Sequence, residues 1–456
     1  MRVPRPSHSV VRATLVTVFL VLLAVPVAAF VSAQVGATES PEVKRAGEVS
    51  GPDRAGYTVI TTQEFSASYP SAELIVLAPD GTPVYVDDRW DTYFDVDPVP
   101  GRSETVEYVA ADYISHPDCN DNGSCTREVF VRENFTTGGA RVLWSRVTPG
   151  KANTRVHDID RIDESRIVVA DVYRDEVFVY DTERQVRVWT WRAQRDYPLG
   201  SGGPFPEDWT HINDVEVLPD GRLMVSLRNQ DSVVFLARNG TLLDRQTLGS
   251  DGRHDVLYEQ HNPDYLPGAS PSVLVADSEN DRVVEYRRRD GEWRRTWHWR
   301  DQRLRWPRDA DRLPNGHTLI TDTNGDRVLE VNESGAVVWS VEVGLPYEAE
   351  RLSTGPESAG GPNATRAGLA SRGPVLDRAS DQGQRGALAT AGAFVRQVVP
   401  ESVRNGLTFV LPPGLYWWHV PLLGAALLDL GVLALLELRR SNWRFVWPVA
   451  ASDERE

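Results

Sequence analysis

Two largely apolar runs, the first of them uncharged, bracket the chain, and between them the hydrophobic pattern has the short period of strands. The runs at 13–33 and about 417–436 each approach the roughly 20 residues that cross a bilayer. From 57 to 345, short β-branched stretches are broken by Asp-Gly, Asn-Gly and Pro turns, with no sustained helical period.

The strand-rich region repeats itself. His157-Asp158-Ile159-Asp160 leads into RIVVAD, Asn213-Asp214-Val215-Glu216 into LPDGRLMVSL, His261-Asn262-Pro263-Asp264 into SVLVAD, and Arg308-Asp309-Ala310-Asp311 into LPNGHTLITD. These starts lie 56, 48 and 47 residues apart, close to the length of a propeller blade. A third strand (DEVFVYD, DSVVFLA, DRVVEYR, DRVLEVN) and an outer strand such as RVWTWRA follow, giving four strands per unit. Two less regular units, about 57–103 and 104–148, complete six. The expectation is an all-β fold, a six-bladed β-propeller at 57–345, flanked by N- and C-terminal transmembrane helices.

Arg2, Arg5 and Arg12 precede the first run, and Arg439, Arg440 and Arg444 follow the second. Both arrangements put the propeller outside the cell membrane and the C-terminus in the cytoplasm. Residues 1–34 read equally as a cleaved signal peptide or a retained signal anchor. The second span, 416–438, is fronted by Tyr416, Trp417 and Trp418 and followed by a cytoplasmic tail, 439–456. Asp429 within it either faces a partner helix or marks an imperfectly apolar segment; Pro421 and Gly424 favour the second. Residues 354–415, rich in Gly, Ala, Ser, Arg and Pro, read as a linker with a short helix near Ala387 to Val399. Sequons at Asn122, Asn134, Asn239, Asn332 and Asn363 all fall in the outer part.

Charge narrows the partners. Lys+Arg 49 against Asp+Glu 65 gives net −16, so a nucleic-acid surface is excluded. High acidity with Lys44 and Lys151 as the only lysines suits a halophilic source, where salt screens carboxylate repulsion. Cys119 and Cys125 allow one local disulfide and exclude a disulfide framework or a four-cysteine zinc site.

Residues just before each inner strand face a propeller's central channel, so His157, Asn213, His261 and Arg308 converge there. His211 lies on the Asn213 loop, and Arg228 follows the next strand. Guanidinium forks match the oxygens of a sulfate or phosphate, and a neutral imidazole serves as nucleophile, acid or base. Three imidazoles also suggest an open zinc site, which the neighbouring arginines oppose. Asp322-x-Asn324-x-Asp326 with Glu333 imitates a calcium loop, but Arg327 stands where glycine is needed; the recurring DEV, DSV and DRV turns mark it as repeat punctuation. Asp158, Asp160, Asp214, Glu216, Asp309 and Asp311 read as paired acids or, because they recur, as caps and interblade ties. His254 is within reach of the rim; His317, His116 and His298 read as structural. Trp306 and Trp209 read as ring-stacking or as core.

The blocks VHDID, THINDVEVLPDGRLMVSLRNQDSV, EQHNPDYL and DSENDRVVEY resemble the bacterial and archaeal arylsulfate sulfotransferases (arylsulfotransferases) over roughly 57–345. The most specific part is H-x-N followed by a strand ending in Ser-x-Arg. The resemblance implies transfer of a sulfuryl group from an aryl sulfate donor to a phenolic acceptor, without a nucleotide donor, metal or other cofactor. It makes His261 the nucleophile, His157 and His211 the other catalytic histidines, and Arg228 the sulfate-binding arginine; Arg308 and Asn213 join as substrate-binding residues. Two competing readings are a non-catalytic membrane-tethered propeller that binds a carbohydrate, envelope protein or anion, and a metal-using propeller lyase or hydrolase.

Overall fold

The computed structural model describes residues 8–36, 46–52, 54–63, 71–115, 119, 123–149, 155–301, 303–355, 360–373 and 419–440. Six antiparallel sheets make up the region from 46 to 351. Their innermost strands are Thr92–Pro98, Val156–Arg161, Ile212–Val217, His261–Leu266, Pro307–Arg312 and Pro346–Arg351. Each touches the next in that order and the last touches the first, which closes the ring of a six-bladed propeller.

Closure differs from the simplest reading of the sequence. Pro346–Arg351, beyond the expected end at 345, pairs with Thr58–Thr62 and supplies the inner strand of the blade built from the N-terminal strands up to Asp87. The expected units 57–103 and 104–148 are therefore recut near residue 90, and Thr92–Pro98 opens the second blade. The Ala46–Ser50 strand adds a fifth to the Pro307 blade by pairing with Val337–Val343. Two distant stretches of chain thus hold the ring shut.

Local chemistry explains the regularity. The aspartates opening the third strands, Asp175, Asp231, Asp281 and Asp326, adopt left-handed φ of 51, 49, 48 and 51°, a conformation that a short polar side chain tolerates. Their carboxylates then accept the backbone N–H of Thr210, Glu259, Trp306 and Leu345 at 3.0, 2.9, 3.0 and 3.1 Å, tying each blade to the loop entering the next. Asp326 of the calcium-like run is occupied in this way, while Asp322 holds Arg327 at 2.7 Å. That run is repeat punctuation.

Between blades the filling is apolar. Trp191 and Trp209 close the seam between the Val156 and Ile212 blades with Val168, Val225 and Val234, all nearly inaccessible. Trp297 and Trp299 do the same between the His261 and Pro307 blades. Cys119 and Cys125 form a disulfide.

Part of the expected linker is ordered: helix α2 (Ala364–Ala367) is capped by Asn363, and Arg372 bonds the Gly335 carbonyl at 2.7 Å. The helix expected at 387–399, and His116, lie outside the described residues. Two terminal helices, α1 (His8–Gly36) and α3 (His419–Arg440), are long and apolar enough to cross a membrane. They pack together, and Arg12 Nε lies 3.3 Å from Glu437 Oε1. The partly covered positions of α3, among them Leu422, Ala426, Asp429 and Leu433, recur every three or four residues. Asp429 therefore lies on the face that meets α1, the first of the two explanations for it.

Candidate functional site

Every inner strand carries a register shift near its start: around Phe94, His157, Asn213, His261 to Asp264, Arg308 and Tyr347. A bulge turns neighbouring residues toward the same side, so the bulged residue and the acid after it both face the axis. This device brings the sequence-derived residues to one end of the channel. His157 and His211 meet edge to face with centroids 5.1 Å apart, and His157 stacks on Phe94 at 4.7 Å. Tyr347 stands 6.0 Å from His157, and Trp306 lies 5.5 Å from His261.

The hydrogen bonds assign the tautomers. Ser278 donates its single hydroxyl proton to the Pro307 carbonyl at 2.7 Å, so its oxygen accepts at 2.8 Å from His261 Nδ1–H. The lone pair of His261 is then on Nε2. His211 places Nδ1 at 2.6 Å from Asp208 Oδ1, which likewise makes Nε2 the basic nitrogen. His157 Nδ1 is buried without a hydrogen-bond partner.

Burial pushes all three imidazoles below their ordinary range, and positive neighbours add to it: His211 and Arg155 at His157, Arg228 at His211, and Arg308 and Arg228 at His261. Neutral imidazoles are the resting state. At Asp208 burial acts upward, but the His211 hydrogen bond and the charges of His211 and Arg228 outweigh it, so that carboxyl lies below its usual range.

Two of the rim's guanidiniums were singled out from the sequence. Arg228 donates to Glu259 Oε2, and its Nε has no hydrogen-bond partner. Arg308 donates to Gln63 Oε1 and lies over the rings of Trp306 and Tyr347 at 4.7 and 4.9 Å. Arg155 joins them, 5.3 Å from the Phe94 ring. Asn213 uses Nδ2 to hold the Gln260 carbonyl at 2.9 Å, fixing the residue before His261, and leaves Oδ1 unpartnered. Trp306 is a wall of the site, whereas Trp209 is core, its indole bonded to the Ser201 carbonyl.

Below this rim the axis is acidic. Eleven carboxyls, from Asp95 and Asp97, Asp158 and Asp160, Asp214 and Glu216, Asp264, Asp309 and Asp311, and Glu348 and Glu350, line a cavity of about 30 Å³. Several tie blades together: Asp160 accepts from Val217 N–H at 2.6 Å, Glu216 from Tyr265 N–H at 2.9 Å, and Asp158 from Val215 N–H. The interblade reading of these acids therefore holds for Asp158, Asp160 and Glu216, and for Asp309, which accepts from Ala349 N–H at 3.3 Å. Burial first, then mutual repulsion for most of them, raises the channel carboxyls, to about 8 for Asp158 and Asp264 and about 7 for Asp160 and Asp309. Among the described residues no three His, Cys, Asp or Glu side chains surround a point that a metal ion could occupy. The zinc reading of the three histidines therefore finds no geometric support.

His254 pairs with Asp231 at 3.2 Å and stacks on Tyr258. His317 bonds Glu330 at 2.6 Å, and His298 lies on the outer strand Glu292–Trp299. Sequence reasoning missed Ser278, Asp208, Glu259, Phe94 and Tyr347. A signal existed for the last two: Phe94-Asp-Val-Asp and Tyr347-Glu-Ala-Glu repeat the residue-acid-apolar-acid pattern of the other inner strands.

No family model matches the chain, and no curated protein does. Solved structures similar to it include a protein of unknown function from Bacteroides caccae, 12% identical with TM-score 0.44, covering 65% of this chain and 98% of that one. Another is a periplasmic gluconolactonase of Pseudomonas aeruginosa, 15% identical with TM-score 0.42, covering 66% and 99%. A third is a virginiamycin B lyase from Staphylococcus aureus, 6% identical with TM-score 0.36, covering 65% and 88%. The chemistry of this chain is read from its own residues.

Proposed function

We propose that the propeller is an arylsulfotransferase whose rim moves a sulfuryl group between phenols through His261. The observation that carries this reading is the Ser278–His261 pair, which fixes a neutral imidazole with its Nε2 lone pair beside the charges of Arg228 and Arg308. His261 Nε2 attacks the sulfur of an aryl sulfate, the S–N bond forms, and the S–O bond to the aryl group breaks. A second phenol then attacks that sulfur, the S–N bond breaks, and the new sulfate ester leaves. His211, oriented by Asp208, takes the proton of the attacking phenol on Nε2 and returns it to the departing phenolate of the next donor. Arg228 and Arg308 hold the sulfuryl oxygens, His157 completes the donor set, and Phe94, Tyr347 and Trp306 offer ring faces to the aryl groups.

The same proposal takes the two apolar helices as membrane spans, with the propeller outside and both chain ends in the cytoplasm, the orientation that the flanking arginines favour. The test is turnover of a chromogenic aryl sulfate by the full chain in detergent, with and without a phenol, beside His261→Ala. Release that needs the phenol and disappears in the variant supports transfer through His261. Equal silence of folded wild type and variant across several aryl sulfates overturns it in favour of a binding propeller.

A further inference from the structure

Glu259 stands where the anion belongs. Arg228 gives its terminal nitrogen to Glu259 Oε2, and neither side chain is sealed from solvent, at 17 and 29% exposure. Glu259 stands two residues before His261, as His211 and Trp306 stand two residues before Asn213 and Arg308, and all three have left-handed backbone, φ 45, 47 and 50°. Its N–H is held by Asp231 at 2.9 Å, so the backbone is fixed and only side-chain rotation separates Glu259 from Arg228. His261 follows two residues later, beside Arg228, whose charge bears on its imidazole.

From this juxtaposition we propose that Glu259 is the gate of the anion site, an internal carboxylate that occupies Arg228 in the empty protein and must swing off when a monoanionic ester binds. The inference rests on the sulfuryl-transfer reading and adds a specificity residue to it. Arg228 carries one charge; pairing it with Glu259 keeps the guanidinium oriented and its charge balanced in the absence of substrate. A sulfate monoester also carries one negative charge, so it replaces the carboxylate against Arg228 one for one, while the displaced Glu259 stays tethered nearby and competes for the same guanidinium. The carboxylate thereby lowers affinity for the donor and clears the site after each transfer. Glu259 is a positioning residue: it acts on substrate through Arg228 and takes no part in bond making.

The experiment uses an aryl sulfonate such as toluenesulfonate, a monoanion that presents three sulfur-bound oxygens but has no aryl ester to cleave. Its binding to the full chain in detergent is measured by calorimetry for wild type, Glu259→Gln, Glu259→Ala and Arg228→Ala, with melting curves confirming folding. The expected result is roughly tenfold tighter binding in both Glu259 variants, where the competing charge is gone, and loss in Arg228→Ala. Steady-state kinetics with an aryl sulfate then shows a lower KM in Glu259→Gln. Equal or weaker binding in folded Glu259 variants, with loss in Arg228→Ala, overturns the gate and leaves the anion site standing. Failure of the sulfonate to bind any of the four proteins overturns the anion reading itself, and the gate with it.

Discussion

Ser278 accepts from His261 at 2.8 Å while spending its own proton on the Pro307 carbonyl at 2.7 Å. One hydroxyl thereby links the turn after a second strand, the inner strand of its own blade and the start of the next. Removing it in Ser278→Ala leaves Nδ1–H without an acceptor in a buried place, and the ring is free to take the other tautomer. Aryl sulfate turnover is expected to fall at least about tenfold with little change in donor KM. Ser278→Thr, which keeps the hydroxyl, is expected to retain most of the rate. A variant pair with equal rates would remove Ser278 from the orienting role.

The Asp208–His211 contact of 2.6 Å makes a separate prediction. Asp208→Asn preserves shape but presents an amide that can orient the wrong tautomer. The step in which the acceptor phenol loses its proton is expected to slow about a hundredfold, whereas release of the first phenol in a single turnover is less affected. Burial and Arg228 lower the His211 pKa, so the base form persists below pH 6.5 and the acid limb of the wild-type rate lies on that side. Losing the Asp208 charge lowers it further. The acid limb of Asp208→Asn is expected to move to lower pH.

How much of this was legible follows from where repetition was visible. His157, Asn213, His261 and Arg308 were found because each precedes a recognisable second strand, and a bulge too local to read in sequence then turned them inward. Tyr347 escaped because PYEAER has no β-branched run, although it copies the Pro-x-acid-Ala-acid-Arg order of Pro307 to Arg312. Ser278 and Asp208 escaped for another reason. They occupy turn positions whose residue type varies from blade to blade, and their meaning comes only from the histidine that folds against them.

Closure by Pro346–Arg351 makes the domain boundary testable. A chain ending at 345 loses the strand paired with Thr58–Thr62, leaves Ile60 and Ile75 without the cover of Ala349, and removes Tyr347 from the rim. Such a chain is expected to show no cooperative melt, whereas one ending at 373 keeps the ring and the Ala364–Ala367 helix. A cooperative transition for the shorter chain would show that five blades and a remnant suffice.

The acidic channel ties stability to pH with a definite sign. Asp158 and Asp264 rise to about 8 and Asp160 and Asp309 to about 7 in the folded state, above the ordinary 3.8. The folded state then binds more protons than the unfolded chain between about pH 4 and 8, so stability falls as pH rises through that window. The rim histidines act oppositely, losing stability as pH falls below 6.5, but three imidazoles face eleven carboxyls. Melting temperature at low salt is expected to be higher at pH 5 than at pH 8. Replacing Asp264 and Asp311 by Asn is expected to flatten the profile, and an unchanged slope would mean that the channel is neutralised in some other way.

The fate of the N-terminal helix follows from its packing. In α1 the partly covered positions Val11, Leu15, Phe19, Leu22 and Leu23 recur at three- and four-residue spacing, the stripe of a helix that has a partner. Arg12, near the start of α1, meets Glu437, near the end of α3, at 3.3 Å, so the two helices run antiparallel and bring both chain ends to one side. Cleavage after the first span would leave Glu437 without its arginine and turn the Asp429 face to lipid, at about 2.5 to 3.5 kcal/mol for an aspartate at mid-membrane. The mature protein extracted from membranes is therefore expected to retain α1, with an intact mass that includes it. An N-terminus beginning near residue 34 would refute the pairing and require Asp429 to find its cover in another chain.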